Sequence, residues 1–181
     1  MTFAMRITWT LAGSGWVDCT IEDRQAKVEL TASYITSAPK ELLTAVARLV
    51  AGETEIRAQF EAEPTAYRWI FYREGEDIWI RVLELRHGSD HDNKGTEIWS
   101  SQLGIDQIAR TVIRCFDEVA QTYGESGYRG KRGEHFPRTE PEALRRLGHA
   151  PTAAKKHRHT SPQQSNGAPT PHSSGALQPG R

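Results

Sequence analysis

Apolar and polar residues alternate from the first positions of the chain: Phe3, Met5, Ile7, Trp9 and Leu11 share one parity, and Arg6, Thr8 and Thr10 the other. A period of two marks a strand with one buried face. The Gly13-Ser14-Gly15 turn leads to a second strand with Val17, Cys19 and Ile21 on its apolar face. Polar Glu22 to Gln25 then turns the chain into a third, with Val28, Leu30, Ala32 and Tyr34. Three strands in succession predict an antiparallel meander. From Ser37 the period lengthens to between three and four. Leu42, Leu43, Val46, Leu49 and Val50 form one stripe, with Ser37 as cap, Pro39 in the first turn and Gly52 as stop, which predicts a helix.

Strict alternation returns from Glu53 to Glu61. Thr54, Ile56, Ala58 and Phe60 face inward, while Glu53, Glu55, Arg57, Gln59 and Glu61 face water. Pro64 breaks this strand, Tyr67 to Arg73 forms the next, and Glu74-Gly75 turns tightly into Asp77 to Leu85. In this last pair apolar residues occupy both parities, so it belongs in the middle of a sheet. After the polar run LRHGSDHDNKGTE (Leu85 to Glu97) come a strand over Thr96 to Gln102 and a helix from Ile105 to Tyr123, whose buried stripe is Ile105, Ile108, Val112, Phe116 and Val119. The expected fold is α+β: an antiparallel sheet in βββαββββα order with two helices packed on it.

Composition divides the chain. Residues 1–123 form an acidic α+β domain, and 124–138 read as a Gly/Arg-rich linker with glycine at 124, 127, 130 and 133. A short helix is expected within 139–148. Residues 149–181, rich in Pro, Ser, Gly, Gln and Thr, read as a disordered basic C-terminal tail that has too little to bury to offset the entropy of ordering. The formal charge of zero therefore hides an asymmetry: Met1 to Glu125 carries 13 basic and 20 acidic side chains, and Ser126 to Arg181 carries 10 and 3. That contrast points to a charged partner. MTFAMRITWT alternates where a secretory leader would run apolar, and no stretch has the uncharged length of a membrane span, so a soluble cytoplasmic protein is expected. Cys19 and Cys115 fall on apolar stripes and read as buried structural thiols.

Candidate chemistry is sparse. In HGSDHDNKG, an EF-hand loop counted from Asp90 fails at Lys94 and again at Ser101, where the carboxylate should stand. His87 and His91 would share a face only on a helix, and Gly88, Ser89, Asp90 and Asn93 favour turns, so the run reads as a hairpin tip without a metal. GESGYRGKRGEHF lacks the spacing, the hydroxyl and the preceding strand of a phosphate loop. Its Arg129, Lys131, Arg132 and Arg138, with Lys155, Lys156 and Arg158 further on, are candidates for binding a polyanion by charge and stacking. Gly13-Ser14-Gly15 is a turn and not a nucleophile elbow, and Glu61 and Glu63 read as a solvated face. None of the usual catalytic arrangements is present, and no cofactor is expected. The five tryptophans all lie in or beside strands, most of them as core.

WTLAGSGWVDC (Trp9 to Cys19), SYITSAPKELLTAV (Ser33 to Val46) and EPTAYRWIF (Glu63 to Phe71) resemble the small bacterial immunity-type proteins of polymorphic toxin systems, including the wall-associated-protein immunity kind. The resemblance spans about Phe3 to Tyr123. It implies a stoichiometric inhibitor that blocks a toxin by binding it, without a cofactor. With the acidic domain, this gives the leading expectation: a non-enzymatic cytoplasmic binding protein for a basic protein partner, touching it through the sheet face of Arg57, Gln59 and Glu61 and through Tyr67 and Trp69. The alternative is a nucleic-acid-associated protein binding through its basic tail.

Overall fold

The structure, a computed structural model, describes residues 5–148. Strands β1 (Arg6–Gly13), β2 (Trp16–Glu22) and β3 (Lys27–Ala32) form an antiparallel meander. Trp9 lies opposite Cys19, and Cys19 opposite Leu30, so the three apolar parities meet on one face. Helix α1 (Ala38–Val50) follows, then β4 (Glu55–Glu61), β5 (Ala66–Glu74), β6 (Asp77–Leu85) and β7 (Thr96–Gly104), a second antiparallel sheet in sequence order. Helices α2 (Ile105–Arg132) and α3 (Thr139–Gly148) complete the described residues.

The α+β class and the order of the strands and first two helices agree with the hydrophobic pattern, but the expected single sheet is two. The chain leaves β3 at Ser33 to build α1 and returns only at β4. The two sheets are bridged there by one backbone hydrogen bond, from Ser33 N to Glu61 O at 2.7 Å. They nonetheless share one core, in which Trp9, Phe60, Trp69 and Phe71 run as successive ring contacts 5.6 to 6.0 Å apart. Helix α1 buries Leu42, Leu43, Val46 and Leu49, and α2 buries Ile108, Val112, Phe116 and Val119. Ser37 stands at the N-cap of α1, yet its hydroxyl donates to Glu134 and accepts no hydrogen bond from a helix N–H.

The expected linker at 124–138 is the second correction. Gly124 breaks the helical path, with φ 63° and ψ 175°, a conformation that glycine adopts without steric penalty. The chain then resumes as helix through Arg132. Glycine's poor helix propensity is overridden there by burial. Tyr128 is fully buried, with its ring edge-on to Phe136 at 5.3 Å, and Arg132 is only 3% exposed. The Arg132 guanidinium donates to the carbonyls of Gly15, Ser33 (3.4 Å) and Thr36 (2.8 Å) and pairs with Glu134 at 3.1 Å. Glu134 in turn accepts from Tyr128 and Ser37. One side chain therefore fastens the end of α2 to the β1–β2 turn and to the β3–α1 connection. The expected short helix is α3, with Leu144 buried. The tail at 149–181 lies outside the described residues. No described helix is long and apolar enough to cross a membrane.

Replacing Arg132 should leave three carbonyls without this donor and Glu134 without its ionic partner. Arg132→Ala is expected to destabilise the protein by about 3 kcal/mol, as losing one partner of a buried ionic cluster does. Arg132→Lys should recover little, because a single ammonium cannot span the same acceptors. Urea unfolding followed by tryptophan fluorescence measures both.

Candidate functional site

The pleat of the four-stranded sheet decides which side chains can meet a partner. On β4, Ile56, Ala58 and Phe60 face the helices and are buried, so Glu55, Arg57, Gln59 and Glu61 face outward. Cross-strand neighbours share a face. The register sets Arg57 against Ile70 and Arg81, Gln59 against Arg68 and Leu83, and Glu55 against Tyr72 and Trp79. The outer face therefore has an apolar centre of Ile70, Tyr72 and Trp79. Tyr72 is 50% exposed and Trp79 partly so, with their rings 5.9 Å apart. Around this centre Arg57 is paired with Glu55 at 2.7 Å, and Arg81 with Glu97 at 2.6 Å.

The HGSDHDN run lies over the other end of the same face. Arg68, only 13% exposed, donates to Gln59 Oε1, to the carbonyls of Gly88 and Asp90, and to Asp92 Oδ1 at 2.8 Å. Asp92 also accepts from Arg57 at 3.0 Å, and Gln59 donates to the Gly88 carbonyl at 3.0 Å. The loop ends on Gly95, where an added Cβ would come within 3.0 Å of Leu83 and Leu85 side-chain atoms. This close approach covers two leucines that share the outer face. The run is a clamped loop with one 3₁₀ turn at Asp92–Lys94. His87 and His91 are exposed. Among the described residues no group of three or more His, Cys, Asp or Glu side chains could hold a metal ion.

Of the expected contact residues, Arg57, Gln59 and Glu61 lie together on this outer face. Tyr67 and Trp69 do not. Tyr67 pairs with Phe60 and Trp69 with Ala58, so both share the inner parity. Trp69 is fully buried, and Tyr67 is half-buried against the core, where burial first and the Glu84 carboxylate second push its phenol up. Expecting them beside Arg57 placed two parities on one face. The missed residues are Arg68, Ile70, Tyr72 and Trp79. The Glu74-Gly75 turn carries their signal, since a tight turn there fixes Tyr72 opposite Trp79.

The expected polyanion residues also part company. Arg129 and Lys131 are exposed, Arg138 is exposed but ion-paired to Glu125, and Arg132 is the buried staple and cannot meet a polyanion. Lys155, Lys156 and Arg158 lie outside the described residues. Cys19 and Cys115 are buried and free of disulfide, and burial pushes both thiols up, away from the reactive thiolate.

Two expectations follow. Trp69→Ala should lower stability by about 3–5 kcal/mol, as removal of a core aromatic does, with the loss read in urea unfolding. The Asp92 carboxyl is lowered most by the Arg68 hydrogen bond. Partial burial pushes back, and Arg57 lowers it further, for a net position below its ordinary 3.8. A depressed carboxyl contributes stability that is complete above its unfolded value and is lost as pH falls through the folded one. Amide protection of residues 87–95 should therefore hold above about pH 4 and fall below it, whereas Asp92→Asn should show weakened protection with no such step. Hydrogen exchange across pH measures this.

No family model matches the chain, and no curated protein matches it. Among solved structures, one chain of a "CdiA-CT/CdiI toxin and immunity complex from Enterobacter cloacae" aligns with a TM-score of 0.42 at 12% sequence identity. The alignment covers 64% of this chain and 99% of that one.

Proposed function

We propose that the chain is a non-enzymatic binding protein of the immunity type: a cytoplasmic, stoichiometric inhibitor that holds a basic protein partner against the outer face of its four-stranded sheet. The observation that supports this most is the apolar centre of that face, which no other described element covers. Ile70, Tyr72 and Trp79 stand on the two central strands, where backbone hydrogen bonds on both sides fix their positions. Aromatic side chains held this rigidly lose little entropy on docking and suit the role of anchors. The flanking arginines are each satisfied within the chain, so the face presents apolar area inside a polar rim. The excess of acidic side chains before residue 126 favours a basic partner, and the resemblance of Trp9 to Cys19, Ser33 to Val46 and Glu63 to Phe71 to immunity-type proteins favours an inhibitor. The nucleic-acid alternative has less support among the described residues, since Arg132 is buried and Arg138 is paired.

The test is capture of the tagged full-length protein at native expression with nuclease treatment, followed by calorimetry with the purified partner. A basic protein bound one to one is expected, whose toxicity when expressed alone is relieved by this chain. Tyr72→Ala and Trp79→Ala should each weaken binding by about 2 kcal/mol, or roughly 30-fold, with folding intact. A partner indifferent to both substitutions, or the absence of any stoichiometric protein partner, would overturn the proposal.

A further inference from the structure

A second feature lies on another part of the molecule and does not depend on the docking face. The helical course of the glycine-rich run brings side chains from four segments around one cavity of about 520 Å³, within the roughly 300–1,000 Å³ typical of small-molecule pockets. Lys40 comes from α1, Arg129 from the last turns of α2, and His135 and Arg138 from the connection to α3. The ring of Phe136, half-buried against Tyr128 and Phe116, lines the same cavity.

Two carboxylates also line it, and both are spoken for. Glu125 pairs with Arg138, and Glu140 with Lys40 at 3.4 Å. Arg129 has no carboxylate partner among the described residues. Its five donors and fixed charge, beside the His135 imidazole, leave the cavity with an excess of donors and of positive charge. The cations reach it from separate elements and do not form a periodic surface row. A phosphate group suits such a cluster, because it offers three acceptor oxygens and can draw Arg138 or Lys40 from its intrachain carboxylate. An aromatic wall beside a phosphate site adds a stacking surface for a base.

The geometry points to a nucleotide-sized phosphate-binding pocket here, with Arg129 as the principal phosphate ligand, His135, Arg138 and Lys40 as supporting donors, and Phe136 as the stacking surface. The ligand is a nucleoside monophosphate, either free or as the end of a single strand. Glu125 acts as an internal competitor that occupies Arg138 while the pocket is empty.

The experiment is an NMR titration of the isotope-labelled full-length protein with inorganic phosphate, with AMP and with a short single-stranded RNA bearing a terminal phosphate. Saturable shifts confined to amides of residues 125–140 and to those around Lys40 are expected, with AMP tighter than phosphate. Arg129→Ala should weaken AMP by about tenfold, the loss of one charge-assisted hydrogen-bonding group. Glu125→Gln, which frees Arg138, should tighten it by about threefold. Arg110→Ala, on the exposed side of α2, should change nothing, and thermal melting of each variant checks folding. RNA binding that falls with Arg129→Ala would assign the pocket to strand ends, and AMP binding without RNA binding to free nucleotides. AMP no tighter than phosphate, shifts spread along the chain, or binding unchanged by Arg129→Ala would overturn the assignment.

Discussion

The pleat of the four-stranded sheet ties the core and the candidate docking face to a single register. Ile56, Ala58 and Phe60 bury against the helices, so Glu55, Arg57 and Gln59 must face away, and hydrogen-bonded pairing carries that choice to Ile70, Tyr72, Trp79 and Arg81. A slip of one residue would expose Trp69 and turn Arg68 into the core. That would lose the burial of a tryptophan and bury a guanidinium away from Asp92 and the Gly88 and Asp90 carbonyls. The partial exposure of Tyr72 and Trp79 is a consequence of the register that packs the interior.

Arg132 imposes a second constraint, of a different kind. Taking a guanidinium out of water is unfavourable unless its donors are met, and here three carbonyls from two loops and one carboxylate meet them. Its effect is positional. The end of α2 is fixed on the β1–β2 turn, where Gly15 also donates its backbone N–H to the Lys131 carbonyl at 2.8 Å. That fixing places Arg129 and the connection to α3 beside Lys40, so the cavity depends on the staple.

Local periodicity made most elements legible. Most strands and α1 follow from alternation or a helical stripe, because each buries one face, and β5 and β6 follow from apolar residues on both parities between turn signals. The division into two sheets was not legible. It depends on where β3 and β4 diverge beyond Ser33, which no local pattern encodes. The helix from 125 to 132 was hidden for a related reason: its glycines signal a linker, and only the burial of Tyr128 and the contacts of Arg132 with residues about a hundred positions away reverse that preference. For the candidate face, the polar parity of β4 was readable, whereas its aromatic centre required the β4–β5 register. Tyr67, Trp69 and Phe71 are the more conspicuous aromatics of β5, and their conspicuousness reflects the core.

The charges around the open face bear on how a partner would be held. Arg57 and Arg81 already have carboxylates at 2.6 to 3.0 Å, so a partner's acidic or basic groups would exchange one exposed pair for another with little net gain. Lifetime in the complex must then come from the apolar centre, whose positions are set by backbone pairing on two central strands and by the loop clamped through Arg68. The acidic excess of the first 125 residues acts at longer range, on encounter, and is screened over about 10 Å at 0.1 M salt. The two contributions are therefore separable in kind. Charge would govern how fast a basic partner arrives, and Tyr72 and Trp79 how slowly it leaves.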